Sequence, residues 1–204
     1  MPGREVPGTD NPIPGVGYGC RVITRPDDDE VTRLAMGAAR GDRHALEAFV
    51  QATRDDVWRF VGYLADRRMA DDLTQDTYLR AIRSMPSFRA GASGRTWLLA
   101  IARRTVADHF RRAASRPVLD LTSPENIAVV ARSTRHDDHV ELEMLVESLD
   151  KPRREAFVLT QILGIPYADA ATICSCPVGT IRSRVARARD DLMAAYRAGE
   201  RHIG

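Results

Sequence analysis

The sequence predicts an all-α protein made of two small helical domains that a flexible linker joins. Apolar residues recur at intervals of three and four along most of the chain, which is the period of a helix packed on one side. No segment alternates apolar and polar residues convincingly, so no sheet is expected. Between the two helical clusters, residues 115–136 contain prolines and show no clear period, which is typical of a linker.

The composition is that of an ordinary globular protein. The chain has 204 residues, of which 44% are hydrophobic and 28% charged, and its formal net charge is only +2. Any DNA binding must therefore come from local clustering of charge. The three cysteines follow no disulfide spacing, and we find neither an apolar signal segment nor a membrane-spanning run. We therefore expect a protein of the reducing cytoplasm.

The first domain is predicted over residues 28–114. Residues 1–27 before it are rich in proline and glycine, and we expect this extension to be disordered. Glycine, Pro86 and the loop "SFRAGASG" separate the helical segments that follow. These segments cover residues 28–41, 44–65, 70–85 and 95–114.

The third helix carries an acidic, hydrogen-bonding stripe in the segment "DDLTQDTYLRAI". Helical spacing places Asp72, Gln75, Asp76 and Leu79 on one face. Such a face suits a basic protein surface. The alternative is that it only meets solvent.

The fourth helix, "RTWLLAIARRTVADHFRR", has one apolar and one mixed face. Leu99, Ala102, Val106 and Phe110 are predicted to face the core. Aromatic stacking beside phosphate-binding arginines is the chemistry of binding to melted DNA, and the opposite face has this combination. It carries Trp97, Ile101, Arg104, Asp108 and Arg111. The alternative is that Trp97 simply packs on a neighbouring helix.

The second domain is predicted over residues 137–197, before a tail at 198–204. A short helix over 167–174, a turn and a longer helix follow in the order of a helix-turn-helix. The apolar face of the long helix is formed by Ile181, Val185, Ala188 and Leu192. Opposite lie Arg182, Ser183 and Arg187, and small and basic residues of this kind suit the major groove. The alternative is a surface helix whose arginines pair with Asp190 and Asp191.

These three segments, in this order, resemble an extracytoplasmic-function (ECF) sigma factor of bacterial RNA polymerase, group IV of the sigma-70 family. The likeness covers about residues 28–197, and "PVGTIRSRVARAR" is its most specific piece. It implies that residues 28–114 form sigma domain 2, which binds core polymerase and reads and melts the −10 element. It implies that residues 137–197 form sigma domain 4, which reads the −35 element.

The resemblance also implies a role for individual residues. Core polymerase would be bound by Asp72, Gln75, Asp76 and Leu79. The −10 DNA would be met by Phe88, Arg89, Trp97, Ile101, Arg104, Asp108 and Arg111. The −35 DNA would be met by Thr180, Arg182, Ser183, Arg184 and Arg187. The family often has asparagine where this chain has Arg104, so the −10 sequence is left open.

A sigma subunit catalyses no bond change, so the resemblance implies no enzyme and no cofactor. The implied partners are the β and β′ subunits of core polymerase, promoter DNA and an anti-sigma factor, in a bacterial cytoplasm at the nucleoid. One alternative is a helix-turn-helix regulator that acts without polymerase, which would leave the acidic stripe unexplained. Another is a metal or redox site at Cys174, Cys176, His136 and His139, although Cys-x-Cys is too close for an ordinary zinc site. The expectation is therefore no metal.

Overall fold

A computed structural model describes residues 27–89, 91, 93–115 and 144–200, and every regular element within them is helical. The N-terminal domain contains α1 (Asp28–Ala39), α2 (Arg43–Leu64), α3 (Ala70–Ser84) and α4 (Gly94–Ala114). The C-terminal domain contains a helical segment at 144–148, α5 (Lys151–Phe157), α6 (Tyr167–Cys174) and α7 (Val178–Glu200). A π-helical stretch, Val158–Ile162, extends α5. The all-α prediction is confirmed, whereas the predicted extension, linker and tail lie almost entirely outside the described residues.

Local sequence signals account for the helix ends. The carboxylate of Asp42 accepts hydrogen bonds from the backbone amides of His44 and Ala45, which caps α2. Asp28, Asp29 and Glu30 occupy the first turn of α1, where negative charge interacts favourably with the helix dipole and stabilises the helix. Pro86 follows the end of α3, since proline cannot continue a helix there.

The core of the N-terminal domain is formed where α2, α3 and α4 meet. Phe49, Phe60, Leu98 and Leu99 are fully buried, and each such side chain stabilises the fold by about 1.5–3 kcal/mol. Leu99, Ala102 and Val106 were predicted to face this core, and all three do. Phe110 was predicted to join them and does not, because it is 43% exposed. Residues 110–115 are all exposed, so the end of α4 extends beyond the packed bundle.

Gly94 allows α1 to lie directly against the start of α4. A Cβ atom at this position would come within 3.0 Å of the Val31 carbonyl oxygen and 3.1 Å of the Ala35 Cβ. The Gly94 amide donates to the Thr32 hydroxyl at 3.0 Å. Both contacts require close approach, so a side chain at position 94 would separate the two helices.

The C-terminal domain contains the predicted helix-turn-helix. Helix α6 ends at Ser175, which takes the left-handed conformation with φ 53° and ψ 48° and turns the chain towards α7. Ile181, Val185 and Ala188 of α7 are buried, as their spacing predicts, and Leu192 is half-buried.

The two domains pack against each other. Helix α4 contacts α6, and α2 contacts α5. Across this boundary the Arg103 Nε lies 2.9 Å from Oε2 of the buried Glu155, and Lys151 lies over the Phe110 ring. No helix in the described ranges is both long and apolar enough to cross a membrane.

Candidate functional site

The outer face of α3 is acidic at its N-terminal end and apolar towards its C-terminal end. Asp72 and Gln75 are exposed, and Leu79 is 48% exposed. One turn further on, Ile82 is 44% exposed and continues the stripe. Sequence reasoning stopped at Leu79 and missed Ile82, although its position three residues later on the same face signals it. An exposed apolar pair beside carboxylates suits a protein partner with apolar and basic groups.

Asp76 is partly engaged within the protein. Its Oδ2 lies 3.1 Å from Arg80 Nη2, one helical turn away. The same guanidinium reaches α4, where its Nη1 donates to Asp108 Oδ2 at 2.7 Å. Arg80 was not among the predicted site residues, because its role depends on a contact between two helices.

Two of the exposed arginines of α4 lie on the predicted mixed face. Arg104 and Arg111 are both exposed, and Arg111 pairs with Asp108 at 2.5 Å. The hydrogen bond from Arg80 lowers the pKa of the Asp108 carboxyl below its ordinary value. An ionised carboxylate repels phosphate, so Asp108 is better suited to holding Arg80 and Arg111 than to touching DNA.

Trp97 is half-buried at the start of the same helix. Its ring packs edge-on against Phe88, with the centroids 5.1 Å apart, and lies 6.5 Å from Phe49. The tryptophan is therefore both a packing residue and a partly accessible surface.

Two of the residues predicted to contact the −10 DNA are buried. Ile101 is 9% exposed and Phe88 is 5% exposed, so neither is available to a DNA base in this arrangement. Arg95 at the start of α4 is also buried, at 3% exposed, and pairs with Asp28 and Asp56. The helical wheel assumes one buried side, whereas α4 contacts α1, α2, α3 and α6. Arg89, which follows Phe88, is exposed and donates to the carbonyl of Pro86.

The outer face of α7 presents the predicted residues to solvent. Arg182, Ser183 and Arg187 are exposed, and Ala186 between them is small enough for close approach to a groove. The Ser183 hydroxyl donates to the Thr180 carbonyl, so its oxygen can still accept a hydrogen bond.

Side chains on the flanks of α7 contact other residues of the C-terminal domain. Arg184 and Thr180 are half-buried, and Arg184 lies 3.8 Å from the Cys176 sulfur. Arg189 donates to Gln161 at 2.6 Å. The sequence left open that the arginines of this helix pair with its own Asp190 and Asp191. Asp191 does not do so, because it binds Arg153 of α5.

The cysteines of the helix-turn-helix are poor candidates for a thiolate site. Burial, and after it the charge of Glu155, raises the pKa of the Cys174 thiol to about 12, which keeps it protonated at neutral pH. His136 and His139, the other members of the metal alternative, lie outside the described residues.

Comparison with known proteins identifies both halves of the chain. The family model of sigma-70 region 2 matches residues 49–116, and that of sigma-70 region 4 matches residues 139–192. The chain is 56% identical over 173 residues to a probable RNA polymerase sigma-C factor of Mycobacterium bovis, covering 84% of this chain and 94% of that relative.

Two solved structures have a similar fold. One is the sigma factor RpoE of Bartonella quintana in complex with the anti-sigma factor NepR, at 28% identity and a TM-score of 0.62, covering 74% of this chain and 96% of that one. The other is CnrH in complex with the cytosolic domain of CnrY, at 26% identity and a TM-score of 0.63, covering 84% and 99%.

Proposed function

The chain belongs to the sigma-70 family, in its ECF group, and we propose that its three exposed faces divide the work of promoter selection among them. As a sigma factor it binds core RNA polymerase, directs it to promoters and takes part in initiation. The observation that carries the proposal is that each predicted face is built on a separate helix. The stripe of α3 is acidic and apolar, whereas those of α4 and α7 carry exposed arginines.

The proposed domain boundaries are residues 28–114 for core binding and −10 recognition, and residues 137–197 for −35 recognition. Support for the first boundary comes from α1, whose residues contact the start of α4. Support for the second comes from the family model of sigma-70 region 4, which matches residues 139–192.

On α3, Asp72, Gln75 and Leu79 are proposed to meet the polymerase, together with Asp76 and Ile82. A charge at the edge of such an interface guides the approach of a basic partner, and the exposed apolar pair supplies buried area.

On α4, Arg104 and Arg111 are proposed to hold phosphates beside Trp97. The protein binds unpaired −10 bases, which duplex DNA does not present. This binding shifts the equilibrium towards melted DNA. Extruding a base costs a few kcal/mol, which stacking and hydrogen bonds offset. Because Ile101 and Phe88 are buried, direct contact of either with DNA requires α4 and the loop before it to rearrange.

On α7, Arg182, Ser183 and Arg187 are proposed to read the −35 element in the major groove. Arg184 and Thr180 stand at the side of this face and suit the adjoining phosphates.

We propose that the protein acts at the nucleoid in the bacterial cytoplasm, with no catalytic role, cofactor or metal of its own, and under the control of an anti-sigma factor. The last point is supported by the similar sigma factor of Bartonella quintana, whose structure was solved in complex with an anti-sigma factor.

Run-off transcription tests the proposal. Core RNA polymerase should give a defined transcript only when this protein is added, from a promoter that the wild-type holoenzyme selects out of a randomised library. Asp72→Lys should weaken holoenzyme formation about tenfold, because it places like charge against a basic partner. Asp55→Lys, an exposed carboxylate of α2, is the matched control and should bind normally. A transcript that does not depend on the protein would refute the function, and equal affinity of both variants would refute the role of α3.

A further inference from the structure

Arg80 connects the face of α3 to the outer part of α4. It lies on α3 but faces α4, and its side chain is 26% exposed. One of its terminal nitrogens is 3.1 Å from Asp76 Oδ2, and the other is 2.7 Å from Asp108 Oδ2. A single planar guanidinium therefore holds one carboxylate from each helix, which a lysine could not do with the same geometry.

Asp108 extends this connection to a second arginine. Its Oδ1 accepts from Arg111, while its Oδ2 accepts from Arg80. Four side chains of alternating charge thus form a row, which we call the charge row: Asp76, Arg80, Asp108 and Arg111. Its inner members are partly shielded, and the Arg111 side chain at its end is 76% exposed.

The two ends of the charge row belong to two different proposed surfaces. Asp76 is at the face for polymerase, and Arg111 is at the face for DNA. Arg80 shares one positive charge between two carboxylates, and Asp108 shares one negative charge between two arginines, so a group that is drawn closer to one partner is held less by the other. When a basic group of the polymerase engages Asp76, Arg80 binds Asp108 more fully, and Asp108 holds Arg111 less.

We propose that Arg80 is a positioning residue that couples polymerase binding at Asp76 to phosphate binding at Arg111. The inference rests on the proposed function of both faces. Polymerase binding releases Arg111 for a phosphate, and by linkage a phosphate at Arg111 favours polymerase binding by the same factor. Exposed ion pairs are individually weak, so the coupling carried by this row is about two- to fivefold in affinity.

The test measures the affinity of a labelled single-stranded oligonucleotide carrying the −10 element of the selected promoter. Its dissociation constant is determined for the free protein and for the holoenzyme, and their ratio is the coupling factor. Arg80→Gln should lower this ratio about two- to fivefold. Arg43→Gln removes an exposed ion pair to Glu47 within α2, away from both faces, and should leave the ratio unchanged.

Asp108→Asn provides a second variant that keeps the shape of the side chain. It should lower the ratio as Arg80→Gln does, and the double variant should lower it no further, because both act through one row. An unchanged ratio in both single variants, or fully additive losses in the double variant, overturns the coupling. A wild-type protein that forms no holoenzyme would instead refute the proposed function, so the two failures are distinguishable.

Discussion

Arg95 is a charged residue that the fold holds almost out of contact with water. Its guanidinium pairs with Asp28 and lies 2.9 Å from Asp56 Oδ2, so two carboxylates from different helices neutralise it. A buried pair of this kind contributes modestly to net stability, but removing one partner leaves an uncompensated charge inside the protein.

Arg95→Met is therefore expected to lower the free energy of unfolding by about 3–5 kcal/mol. Both tryptophans, Trp58 and Trp97, lie in the N-terminal domain, so their fluorescence during urea unfolding reports this loss. Arg43→Met, at an exposed pair, should cost less than about 1 kcal/mol. Similar losses in the two variants would show that the burial of Arg95 does not matter.

The arginines of α7 separate into two kinds by their surroundings. Arg187 is exposed at the centre of the outer face, whereas Arg189 is bound to Gln161 at its flank. A bidentate contact to guanine contributes sequence discrimination, and a phosphate contact contributes affinity for every sequence alike.

Arg187→Ala is expected to relax specificity at one −35 base pair, with a loss of about 1–3 kcal/mol on the preferred sequence. Arg189→Ala should weaken binding evenly and reduce its dependence on salt. Binding of the holoenzyme to a panel of single-base −35 substitutions distinguishes the two results. An even loss for Arg187→Ala would reassign it to phosphate, and no loss would leave α7 as a solvated face.

Among the elements, the turn between α6 and α7 carries a conformational cost. Ser175 has a left-handed backbone with φ 53°, a region that glycine occupies without penalty. Ser115, after α4, also follows a helix but is right-handed, with φ −88°.

Ser175→Gly should stabilise the helix-turn-helix by about 1 kcal/mol, since it removes this strain. Ser115→Gly should give no gain, because its conformation is already favourable for serine and glycine is freer in the unfolded chain. Amide hydrogen exchange in α6 and α7 would register the difference as slower opening. Slower exchange in neither variant would contradict the assignment of strain to Ser175.

The elements also explain what the sequence could predict. The predicted helix ends lie within about two residues of the observed ones, because caps and breakers such as Asp42 and Pro86 act locally. The outer face of α7 was found because this helix buries only one side. The site residues of α4 were harder to predict, since Ile101 is buried by helices that are distant in sequence. Arg80 was missed because its role depends on Asp108, 28 positions away.

At the scale of the whole molecule, polar contacts join one domain to the other beside the packing of α4 on α6. Glu155 is buried and bound to Arg103, and Arg154 reaches the Tyr63 carbonyl at 3.4 Å. The exposed arginines of α7 stay open to solvent in this arrangement, whereas α6 covers part of α4.

Glu155→Gln should loosen this packing by about 1.5–3 kcal/mol, because a charged hydrogen bond is replaced by a weaker one. The radius of gyration from solution scattering should increase. Asp191→Asn breaks a bond to Arg153 that lies wholly within the C-terminal domain, and it should leave the radius unchanged. Equal radii for the wild type and Glu155→Gln would show that this ion pair does not hold the domains together.

The packing of α1 against α4 limits where genes of this family can recombine during evolution. The family match to the first domain begins at residue 49, but Asp28 and Thr32 lie earlier and bind the start of α4. A gene recombined at residue 49 would inherit Arg95 without its Asp28 partner and Gly94 without the helix fitted against it. Viable crossovers should therefore fall before Asp28. The segment that must be inherited together is longer than the segment that the family model matches.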